Sequence, residues 1–544
     1  MTTNIKTWGF ALLAITILAR LVLPLLRRPT RQLPPGPKPL PLIGNLLQLP
    51  KTLPWLQLHH WGKQYGPIMY LNMGGQPLIV LTSQQAAYDL LSKRGARYSD
   101  RPRFIMAGEM VCKGMHMLLR PYDEMYKLHQ RMEAPLLNLR SASSYRPLQE
   151  VESRQLLFDV LGEWDMFGQE GVDFHHHFER ATASTIYFLL YGYRLKTGYE
   201  KELLEAKNVQ GAMTKTAQVG RYIVEFLPSL NYLPAFLAPW KREAEALYQL
   251  ERQLHLGNLE KGLRNPGYNF SKAMQESPEA KEMSTEELAF DLGIIADAAL
   301  DTSTVALGWF IVAWCSNGHL GWVKEAQRVL EEVVGRDRLP TFDDRPALAY
   351  IDAIVSEVLR WRPVAPGGVP HFTKTADSYM GYHIPANSII LPNHFTILRD
   401  TSIFGSDPDD FVPERWLSPS PTFPPSIDAC GMNLSALRDL PQSYFGYGRR
   451  ICTGRIIARN QLFIQVARLL WAFDVEPGVV DEVTGERHKV DDMACEEGFV
   501  TLPKPFKAVL RPRGQWVRDA ILKSGDTHGL DLSGILPQTG ADQS

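Results

Sequence analysis

Residues 445–454 read FGYGRRICTG and are followed by the helical pattern RIIARNQLFIQVARLLWAF. Cys452 thus sits in a glycine-rich turn that opens a helix. Unpaired N–H groups and the positive end of the helix dipole favour a thiolate there over a thiol. Gly446, Gly448 and Gly454 let the backbone curl around the sulfur and approach a flat partner closely, and Arg449 and Arg450 supply cationic donors suited to carboxylates. A soft, charge-stabilised, solitary thiolate suits single-cysteine ligation of a haem iron; a buried cysteine at a helix start is the other reading of the same residues. Cys112, Cys315, Cys430 and Cys495 make no CxxC pair, so no disulfide framework or structural zinc site is expected, and they read as small buried hydrophobes. His175-His176-His177 resembles a metal cluster, but adjacent histidines at a helix start do not all face one ion, and they read as solvated surface residues. There is no GxxxxGK[ST], HExxH or GxSxG, and Ile451 stands where a dinucleotide fingerprint beginning at Gly446 needs its third glycine.

The elements that must position this turn are mostly helical. Apolar spacing predicts helices over 83–93, 125–137, 151–161, 178–190, 241–263, 286–315, 322–334 and 347–361. IMYLNM and PLIVLT flank Gly74-Gly75 and predict a β-hairpin, and strand-like pieces return near 376–391 and 498–511. The fold class is mainly α with a small β region assembled from distant segments. No Pro/Gly/Ser-rich break divides the body, so residues 45–512 read as one large domain, with 513–544 a C-terminal tail that lacks a strong pattern from Gln515 and is expected to be loosely ordered. A net charge of −1 argues against a nucleic-acid binder, and 45% apolar residues argue against widespread disorder. The run 8–26, WGFALLAITILARLVLPLL, is long enough to span a bilayer and carries only Arg20. Arg27, Arg28, Arg31 and Lys38 follow it, so the positive-inside rule predicts a lumenal stretch at 1–7, a transmembrane helix at 8–26 and a cytosolic body. Residues 27–44, basic and then LPPGPKPLPLIG, read as a stiff hinge between anchor and domain.

FGYGRRICTG resembles the haem-binding signature F-x-x-G-x-[RH]-x-C-x-G of the cytochrome P450 superfamily, with Phe445, Gly448, Arg450, Cys452 and Gly454 in register. Three more segments follow the family's order: Glu357-x-x-Arg360 in SEVLRWRP, FVPERW at 411–416, and Ala298-Ala299-Leu300-Asp301-Thr302-Ser303 on the long helix. The resemblance implies the cytochrome P450 fold, haem b with Cys452 on its iron, and Phe445, Gly448, Arg450 and Gly454 around it. It implies a structural triad of Glu357, Arg360 and Arg415. It also implies a distal relay in which Thr302 hydrogen-bonds bound dioxygen and Asp301 links it to solvent. Two departures stand out. Ala299 replaces a glycine that eases a local helix distortion, so the groove there is expected to be tighter. Tyr126 and Gln130 stand where relatives carry W-x-x-x-R, which keeps hydrogen-bond donors but loses a cation; Lys127 and Arg131 lie elsewhere on a regular helix. His371 takes a position where relatives place Arg or His against a haem propionate.

By family correspondence the substrate pocket is walled by 103–120, 294–302, 364–369 and 499–500, mostly apolar with few polar anchors. Only 92 residues follow Cys452, too few for a flavin domain, so the resemblance implies NADPH electrons delivered by a separate flavoprotein, NADPH–cytochrome P450 reductase, at the endoplasmic reticulum membrane. Residues 360–400 look like those of fungal secondary-metabolism enzymes, including the O-methylsterigmatocystin oxidoreductase-like group. This implies a lipophilic polyketide, terpenoid or prenylated indole alkaloid as substrate and a monooxygenase reaction upon it. Two rival readings are a haem-thiolate isomerase or dehydratase that needs no reductase, and a non-catalytic haem sensor. The intact Asp301-Thr302 pair argues against the first.

Overall fold

The computed structural model describes residues 32–217, 221–225, 227–417, 443–481 and 484–536. The apolar run 8–26, expected to be a membrane anchor, lies outside the described residues. The described residues form two compact units, both discontinuous in sequence: one holds those within 32–102, 367–397 and 447–450, the other those within 103–366, 398–417, 443–446 and 451–536. Because each unit is assembled from separated stretches, no compositional break marks their boundaries.

The smaller unit is built on a four-stranded sheet. The expected hairpin forms as β1 (Ile68–Met73) and β2 (Gln76–Leu81), antiparallel. Gly74 and Gly75 both take positive φ, 64° and 100°, as a two-residue turn with the right twist requires. The region near 376–391 resolves into a small hairpin, β4 (Asp377–Tyr379) with β5 (Tyr382–Ile384), and then β6 (Ser388–Pro392). β6 runs parallel to β2 and antiparallel to β3 (His371–Thr373), giving the order β1-β2-β6-β3. Helix α1 (Pro54–Tyr65), which carries no strong apolar stripe, opens on a proline at its first position. The proline-rich segment is tied to the sheet: the Tyr70 N–H donates to Pro35 O at 3.0 Å, and a Cβ on Gly36 would come within 2.1 Å of Tyr70 O. Its stiffness therefore serves a fixed path along β1.

The larger unit is helical: α2 (Glu124–Leu137), α3 (Arg146–Phe167), α4 (Phe174–Tyr191), α5 (Lys201–Thr216), α6 (Pro239–Arg264), α7 (Thr285–Asn317), α8 (Trp322–Val334), α9 (Ala349–Trp361), α10 (Arg455–Ala472) and α11 (Gln515–Ser524). Two two-stranded sheets complete it: β7 (Phe473–Pro477) pairs with β10 (Ala508–Pro512), and β8 (Val479–Asp481) with β9 (Glu486–Arg487). Helix α7 is apolar nearly all round and buried from Leu288 to Gly293 and from Ser303 to Trp314. Such a pattern belongs to a core helix. Among the described residues it alone is long and apolar enough to cross a membrane, and its burial marks it as the core of this unit. Ser284 caps it, its Oγ accepting from the Glu287 N–H, with Glu286 and Glu287 at the positive dipole end.

Two expectations need correction. Helix α5 has no strong sequence signal because only Leu203, Ala206, Val209 and Thr216 of its sixteen residues are buried. The tail is not loose as far as residue 536. In α11, Val517, Ala520 and Ile521 form a buried stripe, and Leu532 and Leu536 join the main apolar core. Thr527 is fully buried, taking its N–H and hydroxyl bonds to Gln155 Oε1.

Candidate functional site

In the larger unit the turn that carries Cys452 is closed by the Cys452 N–H donating to Phe445 O at 2.8 Å. Helix α10 follows at once, with Gly454 in its N-cap position. The Gly454 and Arg455 N–H groups and the Arg455 charge favour the thiolate, but burial outweighs them and pushes the Cys452 thiol above its ordinary pKa. The expectation that the turn by itself would favour the thiolate is thus corrected: desolvation of the anion is the larger effect. The thiol is crowded by protein yet remains accessible, as expected of a side chain that lines interior space. A bound metal ion would supply the missing charge, since a coordinating thiol is deprotonated outright.

The middle of the same turn belongs to the smaller unit. Gly448 takes φ +55°, and a Cβ there would lie 2.2 Å from Leu91 O, so no other residue fits. Tyr447 donates its hydroxyl to Gln84 Oε1 at 3.0 Å, and Arg450 Nε donates to Ser99 O at 2.8 Å. His371 stands on β3 and its Nδ1 lies 2.8 Å from Tyr98 O, which fixes Nδ1–H as the donor. Burial, then the charges of Arg101 and Arg450, hold His371 well below its ordinary pKa, so the imidazole is neutral. Arg101 and Arg450 are therefore the cationic donors of this cluster, suited to carboxylates, while neutral His371, its Nδ1–H spent on Tyr98 O, leaves Nε2 as an acceptor beside them. Arg101, 5% exposed and donating to Pro370 O at 2.7 Å, was not legible in the sequence. The first arginine of RPRF follows no spacing rule, and only the chain path brings it to His371.

The middle of α7 is open where both flanks are closed. Ile294, Asp301 and Thr302 are part-exposed and Ala298 exposed, whereas the flanking turns are buried. Spacings of four, seven and eight residues put these on one helix face. Thr302 Oγ1 donates back to Ala298 O at 2.8 Å. The helix continues unbroken through Ala299, so the missing glycine leaves no interruption. Burial, reinforced by Glu179 and opposed by Lys207, raises Asp301 to about 6. One turn earlier, burial and then Glu251 and Asp301 push Asp297 well above the carboxylate range. Burial lifts Glu251, on α6, to about 7, although the Cys112 thiol donates to it. His116 is held down to about 4 by burial. The expectation of few polar groups near 103–120 and 294–302 is therefore corrected by Glu251, Asp297 and His116, which single-residue inspection does not connect.

The conserved-looking charged triplet does come together. Arg360 grips Glu357 with two bonds of 2.7 Å, and Arg415 Nε lies 3.5 Å from Glu357 Oε1. The Val412 N–H and the Trp416 indole N–H also donate to Glu357 at 2.9 Å, and Arg360 donates to the carbonyls of Leu398, Pro408 and Asp410. On α2, Tyr126 is 4% exposed and stacks near Tyr122, while Gln130 is part-buried. Lys127 pairs with Glu124 and Arg131 is exposed. A buried cation arises at the neighbouring His129 instead. Burial alone would lower it, but Asp291 at 2.8 Å and Glu287 at 3.1 Å raise it to about 9. The histidine triplet is corrected as well. His177 is 7% exposed and lies 3.0 Å from Glu163, and His176 stacks on Tyr199. Among the described residues no group of side chains is arranged to hold a metal ion through three or more His, Cys, Asp or Glu ligands.

The cytochrome P450 family model matches residues 34–510. The cytochrome P450 monooxygenase aneD of Aspergillus aculeatus is 39% identical over 506 residues, covering 92% of each chain. The monooxygenase FrzL of Cladobotryum sp is 36% identical over 516 residues, covering 95% of this chain and 94% of its own. PeniB of Penicillium patulum is 34% identical over 509 residues, 93% of this chain and 90% of its own. With a solitary cysteine on a glycine turn, an open acid–alcohol face on its central helix and relatives of this extent, the chain belongs to the cytochrome P450 family.

Proposed function

We propose that this monooxygenase oxidises a lipophilic fungal secondary metabolite, of polyketide, terpenoid or prenylated indole alkaloid type. Electrons come from NADPH through a separate flavoprotein reductase at the endoplasmic reticulum membrane, where residues 8–26 anchor the chain. Cys452 would hold the iron of a haem b through its thiolate. Phe445, Gly448 and Gly454 shape the turn that brings the sulfur forward. Arg450 and Arg101 would hold the propionate carboxylates, His371 would join them once a carboxylate beside it draws a proton onto Nε2, and Tyr126 would add a hydroxyl donor. A haem held by a thiolate supplies binding and reductive activation of dioxygen and oxidation of a C–H bond.

The remaining work belongs to this chain. Residues 105–112 and the apolar positions of α7 exclude water and orient the substrate. Thr302 Oγ1, now turned to Ala298 O, rotates to hold a proton toward the distal side. Asp301, whose pKa of about 6 leaves both protonation states populated near neutrality, exchanges that proton with solvent. The observation that carries this reading is the opening of α7 at Asp301–Thr302 between two buried stretches. An isomerase or dehydratase that needs no reductase has no use for such an acid–alcohol pair.

Two experiments test the proposal. Cys452→Ser abolishes the thiolate-type carbon monoxide spectrum of the purified protein; an unchanged spectrum rejects the ligand. Metabolites of a host with and without the chain are compared with and without reductase. A new oxygenated product requires both, and product formed without reductase rejects the monooxygenase reading in favour of the isomerase.

A further inference from the structure

Asp301 must be recharged with protons, and α7 is closed on both sides of it. The solvent end of that path is unassigned. On α4, Glu179 is 7% exposed and faces away from bulk water. Its carboxylate is held by a single cation: Lys207 Nζ on α5 lies 2.7 Å from one oxygen and 2.9 Å from the other. One turn further on α5, Gln210 Nε2 donates to the backbone carbonyl of Asp297 at 2.8 Å. Lys207 and Gln210 share a helix face, so the same face of α5 that grips Glu179 is pinned to α7 one turn before Asp301. On its outer side Lys207 lines a cavity of about 260 Å³ with Asn208, Gly211, Lys215, Arg221 and Glu243. Its side chain is 43% exposed, against 10% for Glu179. The ammonium therefore bridges a water-accessible cavity and a buried carboxylate.

We propose that Glu179 and Lys207 form the solvent end of the proton path to Asp301. Glu179 takes a proton from water in the cavity onto a carboxylate oxygen when the ion pair opens. It then gives that proton to the Asp301 carboxylate and returns to the charged form, which Lys207 recaptures. No electron moves, and each proton gained by Asp301 is one lost by water. Lys207 is a poor proton donor in its own right because its pKa lies far above that of a carboxylic acid; it acts as a positioning residue that keeps Glu179 turned toward the cavity. Electrostatics agree with this placement, since Glu179 raises and Lys207 lowers the proton affinity of Asp301. The other ionisable groups facing this stretch include Asp297 on α7 itself, Glu251 on α6 and, on α4, His175, whose imidazole feels the charges of both Glu179 and Lys207.

The inference rests on the reading of Asp301 and Thr302 as the oxygen-side relay, and the test separates the two. The haem-loaded full chain, with its reductase and NADPH and no added substrate, is assayed for hydrogen peroxide released per NADPH and for the solvent deuterium effect on NADPH oxidation. The protonated-carboxyl infrared band that Asp301→Asn removes is titrated in parallel. Glu179→Gln is expected to raise peroxide per NADPH severalfold and enlarge the isotope effect, and Glu179→Asp to restore both. The expected rate loss is roughly tenfold, at the low end for a proton-transfer group because water can still reach Asp301 slowly. The Asp301 band should titrate at lower pH in Glu179→Gln and at higher pH in Lys207→Met, with the carbon monoxide spectrum unchanged in both. If Asp301→Asn alters peroxide release but Glu179→Gln leaves it and the band unmoved, the proposed entrance is wrong and the relay stands. If Asp297→Asn instead reproduces the isotope effect, the entrance lies on the α6 side. If Asp301→Asn changes nothing, the relay reading itself fails.

Discussion

Two buried sets of charge in the larger unit are built on opposite rules. Around Glu357, every acceptor is matched: two arginines, an indole and a backbone N–H converge on one carboxylate, and Arg360 spends its remaining donors on three carbonyls. Around the middle of α7, Asp297, Asp301 and Glu251 are desolvated acids, Glu251 and Asp301 both acting on Asp297, with the Cys112 thiol as the donor to Glu251 and Lys207 acting on Asp301 only from a distance. A saturated set holds one geometry and keeps its protons fixed. An under-matched set keeps its protons exchangeable near neutral pH, as a relay requires. Burial is common to both, so burial alone does not separate scaffold from chemistry; the number of partners does.

The comparison can be broken most decisively at the saturated set. Arg360→Ala takes two hydrogen bonds and one of two cations from the fully buried Glu357 carboxylate. It should cost about 3–5 kcal/mol, read as a lower unfolding midpoint and loss of haem on purification. A variant that keeps its haem and its melting temperature would show that the triplet is ornamental.

The under-matched set should show itself through pH. Asp301 at about 6 and Glu251 at about 7 bind protons more tightly folded than unfolded. Their contribution to stability is therefore full below the ordinary carboxylate pKa near 4 and is lost as pH rises through 6 and 7. For Asp301 the loss is at most about 3 kcal/mol, two pH units at about 1.4 kcal/mol each. Asp301→Asn should flatten the stability profile between pH 4 and 7 and leave the protein more stable above it, as measured by urea unfolding at several pH values. A profile as steep as that of the parent would mean that Asp301 titrates normally.

The smallest expected change in stability is at Thr302. Thr302→Ala removes one hydroxyl that donates only to its own helix, so the unfolding midpoint should move by less than about 0.5 kcal/mol. Peroxide released per NADPH should nevertheless rise severalfold. A large loss of stability with unchanged coupling would reverse the assignment and make Thr302 part of the scaffold.

The helices with wide apolar stripes were legible in the sequence, as were the Gly74-Gly75 hairpin and the cysteine turn, because each is specified within a few consecutive residues. α5 and the ordered tail were not, since their burial depends on what the rest of the unit presents to them. Arg101 and the Glu251–Asp297 pair were hidden for a related reason: their neighbours are far away in the chain.

By itself the sequence determined which residues could serve as a metal ligand and which as a proton relay. A lone cysteine among glycines at a helix start is a local arrangement, and so is an acid beside an alcohol on one helix. The tertiary structure alone decided which charges would be neutralised and which left titratable. It placed an imidazolium at His129 in place of a cation at Gln130, neutralised His371 beside two arginines, and raised Asp301 by burial against Glu179. Proton affinity is set by desolvation and by charges brought together across long separations in sequence, and only the folded chain sums them.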